Sequence, residues 1–195
     1  MPAIRFLSPE SMPKTLSRRP LIRWIVLSVT MAGWGAAHAH TGFESETDVR
    51  IYKDRMEVTV RTTFAFAWRL LGDRTPADVG EAGQAAARPL LAKEAPGLYR
   101  VMAGGVPMQP KKADCRFELD QHAAFLLTYD RPGSWPLEFK AGFFRMLGAL
   151  DEGKIRVFDL SNDPLRRDVE PLASKVIHAK DATFTITLRG MKAKP

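Results

Sequence analysis

The chain has 195 residues, 45% of them hydrophobic, with 29 Lys/Arg against 22 Asp/Glu and a formal net charge of +7. Length and apolar content suit a folded domain and exclude a disordered or fibrous chain. The charge is uneven: residues 1–39 hold five of the basic and one of the acidic residues, so the remainder carries 24 basic against 21 acidic. A scattered surplus of that size gives no case for nucleic acid as a partner.

The first predicted element is a leader. Arg18, Arg19 and Arg23 form a cationic start, and Trp24 to Ala37 follow as an uncharged, mostly apolar run. Ala37-His38-Ala39 then places small residues at −3 and −1 before His40. These three parts in this order predict a secretory signal peptide over residues 1–39, with residues 40–195 as one exported domain. The apolar run is shorter than the roughly 20 residues a spanning helix needs, and no later segment is long and apolar enough. Ser17-Arg18-Arg19-Pro20-Leu21-Ile22-Arg23 resembles the bacterial twin-arginine export motif, with Leu21 where Phe is commoner and Arg23 where Lys is commoner. The resemblance implies a bacterial periplasm or exterior as destination; general secretion implies the same. Met12 offers a second start.

Beyond the leader the pattern is that of strands. In "RMEVTVRTTF", Met56, Val58, Val60 and Phe64 alternate with Glu57, Thr59, Arg61 and Thr63, a half-buried strand. "TDVRIYK" puts Val49 and Ile51 on one face, and Lys53-Asp54 predicts a hairpin between the two runs. Two segments then switch to helical spacing. Phe64, Trp68 and Leu71 predict a short helix over 65–71 that stops at Gly72. Asp78 with Glu81 reads as a capping box opening a helix over 79–94, which Pro89 should break or kink.

Gly104-Gly105 predicts a tight hairpin with residue 101 opposite 108 and 102 opposite 107, which puts Met102 and Met108 on opposite faces. "CRFELD" and "AAFLLTYD" pair through Gln121-His122, with Cys115, Phe117 and Leu119 on one face. "RPGSW" is a turn. "PLEFKAGFF" aligns Leu137, Phe139, Ala141 and Phe143, and "DEG" turns into "KIRVFDL". "SKVIHAKDATFTITL" repeats the first hairpin, with Lys180-Asp181 between runs and Phe184, Ile186 and Leu188 inward. Eight or nine short strands with one or two inserted helices predict a mainly β, antiparallel, immunoglobulin-like β-sandwich. Cys115 is the sole cysteine, so no intrachain disulfide staples it.

One metal reading arises from the cut. With His40 first in the mature chain, its α-amine, its ring and the next backbone nitrogen bring copper donors together, and imidazole suits copper. His122 and His178 are the other histidines after the cut. An N-terminal histidine resembles that of lytic polysaccharide monooxygenases and of periplasmic copper-resistance sandwich proteins. That likeness implies copper held by His40 with His122 or His178, although "HTGFESE" lacks the small and proline residues that follow the histidine in the resistance proteins. No Gly-x-Ser-x-Gly elbow, Gly-rich phosphate cradle or His-Glu-x-x-His occurs. Asp159, Asp163 and Asp168 near Asn162 lack the glycine-centred spacing of a calcium loop. Phe64, Phe66, Trp68, Phe143 and Phe144 are core or groove aromatics, and Trp135 is a candidate surface contact.

The functional expectation is an exported binding or accessory module without catalysis or a required cofactor, whose partner is a protein, a small ligand or a surface polymer. The alternatives are copper handling through His40, and an accessory domain of a membrane complex with strands 2 and 8 as free edges.

Overall fold

The computed structural model of the chain describes residues 45–147, 152–165 and 169–187, all within one compact unit, Gly42–Pro195. The leader, Met12, His40, Asp151, Asp168 and Leu188 lie outside the described residues. Within them the protein is mainly β. In chain order the elements are β1 (Ser45–Ile51), β2 (Arg55–Thr63), α1 (Phe64–Leu71), α2 (Glu81–Glu94), β3 (Tyr99–Ala103), β4 (Val106–Met108), β5 (Lys112–Phe117), β6 (His122–Asp130), β7 (Leu137–Ala141), β8 (Glu152–Asp159), β9 (Ala173–His178) and β10 (Thr183–Ile186). They build two sheets, of order β5-β6-β2-β1-β8-β9 and β10-β7-β3-β4.

Strand alternation decides what the two sheets bury. Val49, Ile51, Met56, Val58, Val60, Phe125, Leu127, Ile155 and Val157 point inward from the larger sheet. Tyr99, Val101, Leu137, Phe139, Phe184 and Ile186 do so from the smaller. All belong to one apolar cluster, the sandwich-like core that the alternation predicted. Thr47 of β1 and the Tyr99 hydroxyl of β3 lie 3.0 Å apart, a buried hydrogen bond joining the two sheets. Thr62 is buried as well, because the alternation that hides Val60 hides it too.

The first hairpin forms as expected, with Ile51 opposite Met56. The Gly104-Gly105 hairpin has the expected register, Val101 to Met108 and Met102 to Pro107. Both glycines have positive φ, 56° and 82°, a conformation that side chains with a Cβ resist. Cys115 is buried, whereas Leu119 has left the strand and is fully exposed in the turn before β6.

Several expectations are corrected. Lys180-Asp181 does not close a hairpin: β9 ends in the larger sheet and β10 begins in the smaller, so this turn is a corner between layers. The larger sheet is mixed rather than antiparallel throughout, because β8 runs parallel to β1. β7 lies in the other sheet, so no hairpin constrains the direction in which β8 enters. Strands β2 and β8 are interior, flanked by β6 and β1 and by β1 and β9, so neither offers an edge. Finally, of the expected break or kink at Pro89, the break does not occur: α2 runs on from Glu81 to Glu94. Pro89 is exposed, while Ala87 and Leu91 anchor the buried face. Helix α2 begins at Glu81 with Gly80 as its N-cap, and Asp78 instead accepts from the Gly80 N–H at 2.8 Å.

Helix α1 matches its expected span to within a residue. The Thr63 hydroxyl accepts from the Phe66 N–H, and Gly72 ends it. Helix α2 lies along β5, where Arg88 Nε donates to the Cys115 carbonyl at 3.2 Å, so one edge of the larger sheet is covered. No helix among the described residues is long and apolar enough to cross a membrane.

Candidate functional site

The outward residues of the larger sheet form rows across its strands. Register places Arg116, Ala124, Arg61, Glu46, Lys154 and Val176 in one row. Asp114, Leu126, Thr59, Asp48, Arg156 and Ser174 form the next. The smaller sheet covers the other side, and among the described residues no layer covers this one; period-two alternation puts charges here for the same reason that it buries valines behind.

Several charges on this face are paired. Arg156 Nε donates to Asp48 Oδ1 at 2.7 Å, and a terminal nitrogen of Arg156 reaches Glu46 Oε2 at 3.3 Å. Asp48 also faces Arg50 at 3.6 Å. Arg61 donates to Glu118 at 2.8 Å, and Arg55 to Glu57 at 2.7 Å. The side chain of Asp48 is only 19% exposed and that of Arg156 28%, so this pair sits lower than ordinary surface ion pairs. Arg116 has no ion pair among the described residues and borders both a hollow of about 190 Å³ with Arg61, Glu46 and Arg156 and one of about 240 Å³ with Asp114 and Glu57.

A larger groove, about 390 Å³, opens beside Arg50, the cross-strand neighbour of Phe158. Its lining is Arg50, Tyr52, Phe158 and Leu160 from β1, β8 and their ends, with Pro164, Leu165 and Val169 from the connection that leads to β9. The Leu160 N–H donates to the Ile51 carbonyl and the Leu172 N–H to the Val157 carbonyl, so both ends of that connection are tied to the sheet. The Arg55 guanidinium stacks 4.3 Å above the Tyr52 ring. Burial, and then the charge of Glu57, push the Tyr52 phenol above its ordinary range, so it stays neutral and able to donate. Leu165 is 88% exposed at the rim, an apolar side chain left in water.

The residues singled out from sequence scatter. His122 opens β6 opposite Thr63, and His178 ends β9 opposite Glu152. Three strands separate theirs, so the two backbones stand about 19 Å apart at the sheet's strand spacing, and one ion cannot take both imidazoles. His122 lies in a strand rather than in the expected turn, with Nδ1 3.1 Å from Asp120 Oδ1; His178 Nδ1 lies 3.8 Å from Glu152. Among the described residues no three of His, Cys, Asp and Glu gather as a metal set. Asp159 accepts from the Ser161 N–H at 2.9 Å, making a local turn.

Phe66, Phe143 and Phe144 are core. Phe64 and Trp68 pack on Phe117, edge-on at 5.0 Å and stacked at 5.3 Å, and Trp135 packs against the core rather than standing free. The Cys115 thiol is pushed up to about 12, mainly by desolvation and then by Asp114, as befits a buried small hydrophobe. Sequence reasoning passed over Arg50, Tyr52, Phe158 and Leu165. The available signal was Leu165, an apolar residue in the otherwise polar run "SNDPLRRD". No protein-family model matches the chain, and no curated protein matches it.

Proposed function

We propose that the mature chain is an exported, non-catalytic binding module that uses the solvent-facing side of its larger sheet. The groove beside Arg50 carries this reading. It has ligand size, apolar walls and a few polar groups, and it opens on a face that no second layer among the described residues covers. The lining supplies a cation, a phenol and apolar side chains, a set suited to holding a molecule. The immunoglobulin-like type rests on the two-sheet layout alone.

The test starts from the full chain in an exporting bacterium. Intact mass should place the first residue at His40. Native mass spectrometry of the gently purified product should show a bound adduct that Arg50→Glu with Leu165→Asp abolishes. Turnover of common ester, glycoside or phosphoester substrates by the pure protein would overturn the non-catalytic part.

The copper reading through His40 needs one further imidazole, from His122 or His178, and His40 lies outside the described residues. Calorimetry with Cu(II) decides it: one tight site per mature chain, lost when an extra residue precedes His40, is the required result. Equal weak binding by both forms ends it.

A further inference from the structure

The geometry points to a ligand class for the groove, an inference that rests on the binding-module reading: a small amphipathic carboxylate. Its acid group sits on Arg50, and its hydrocarbon or aromatic body lies over Phe158 and Tyr52 against Pro164, Leu165 and Val169.

Three observations carry this. The first is the state of the guanidinium. Among the described residues the one ion-pair partner of Arg50 is Asp48, at 3.6 Å, which is beyond hydrogen-bonding distance. Asp48 and the cross-strand neighbour Glu57 are engaged elsewhere: Asp48 accepts from Arg156 and Glu57 from Arg55, each at 2.7 Å. Local negative charge is therefore held by other guanidiniums, and the Arg50 donors remain for an incoming carboxylate, which a planar guanidinium matches with two parallel bonds.

The second is the shape of the remaining lining. Next to Arg50 across the strands is Phe158, and two residues on, just past the end of β1, is Tyr52, its ring under the Arg55 guanidinium. A flat apolar body laid there touches both rings. The groove volume, about 390 Å³, lies in the range of small-ligand sites and is too small for a folded partner.

The third is the uncovered wall. Leu165, at the rim, is 88% exposed. An apolar ligand body in the groove removes part of this surface from water, which a sugar or an inorganic anion does not.

The test uses full-length mature protein and the dye 8-anilinonaphthalene-1-sulfonate, itself an aromatic anion, displaced in parallel by octanoate and by 1-octanol. The two competitors share a chain and differ in charge. The native protein should bind the dye, and octanoate should displace it at a concentration about tenfold lower than octanol, the ratio expected of one charge-assisted contact. Arg50→Gln should bring the two competitors within about twofold. Arg50→Lys should restore part of the difference. Leu165→Asn, in an exposed connection, should weaken both competitors together.

Circular dichroism of each variant guards against dye binding to a loosened fold. Equal displacement by octanoate and octanol on native protein would overturn the assignment, and so would an octanoate advantage that survives Arg50→Gln. Failure of the native protein to bind either competitor removes the ligand class. The binding-module reading then stands or falls by whether the exported product carries an adduct in native mass spectrometry.

Discussion

Replacing Gly83 by alanine sets a general rule against a local contact. Gly83 lies within α2, where alanine is ordinarily the more stable residue by about 0.8–1.0 kcal/mol. At this position, however, the glycine is buried, and a Cβ would fall 1.5 Å from the Asp78 carbonyl oxygen and 2.5 Å from its carbonyl carbon. The obstacle is backbone, which cannot rotate away as a side-chain tip does. To reach ordinary contact the 75–80 connection must retreat by about 2 Å, and overpacking of this kind typically costs about 1–3 kcal/mol. The upper half of that range applies, and the propensity gain offsets part of it. Gly83→Ala should therefore destabilise the protein by about 1–2 kcal/mol, and at about 2–4 °C per kcal/mol the melting temperature should fall by about 2–8 °C. Ala86→Gly, on the exposed face of the same helix, supplies the propensity scale at a position free of the contact and should cost about 1 kcal/mol. Thermal and urea unfolding followed by circular dichroism reads both. A Gly83→Ala protein more stable than its parent would refute the reasoning, because propensity would then have outweighed the clash.

Arg156→Met strips Asp48 and Glu46 of their shared guanidinium at a partly buried position and should cost about 1–2 kcal/mol in urea unfolding. Combined with Asp48→Asn, the loss should fall short of the sum of the two single losses; strict additivity would deny the coupling. Burial raises the Cys115 thiol and the Tyr129 phenol, each to about 12, so the folded state holds protons that the unfolded chain releases. Their stabilising contribution is full below the unfolded values and fades as pH rises towards 12, so the urea midpoint should drop between pH 8 and pH 11. An unchanged midpoint would refute this, as would labelling of Cys115 in the native protein by a thiol reagent at pH 8. Lys175 of the edge strand β9 reaches Asp181 at 2.5 Å and the Thr183 carbonyl at 3.1 Å. Lysine is one device by which proteins blunt such edges, so Lys175→Val should increase self-association in sedimentation velocity. A variant that sediments like its parent would assign the lysine no such role.

Local chemistry was enough to read much of this protein from its sequence. The Met56, Val58 and Val60 alternation, the Gly104-Gly105 register, the stop at Gly72 and the burial of Cys115 each depend on a few neighbouring residues. Such signals survive in a linear string because side-chain period and positive φ are properties of the segment itself. The same kind of signal failed at Lys180-Asp181, since a polar pair between two apolar runs suits a hairpin and a corner between sheets equally well. At Pro89 local propensity lost to tertiary anchoring of the opposite helix face. The parallel β1–β8 pair, the interior place of β2 and β8, and the wide separation of His122 from His178 follow from strand order. The groove has the same origin: Arg50 and Phe158 are 108 positions apart in the chain and neighbours only because β8 settles against β1. Which distant strands pair is decided by the burial of the whole apolar set at once, a sum over the chain that no short window contains.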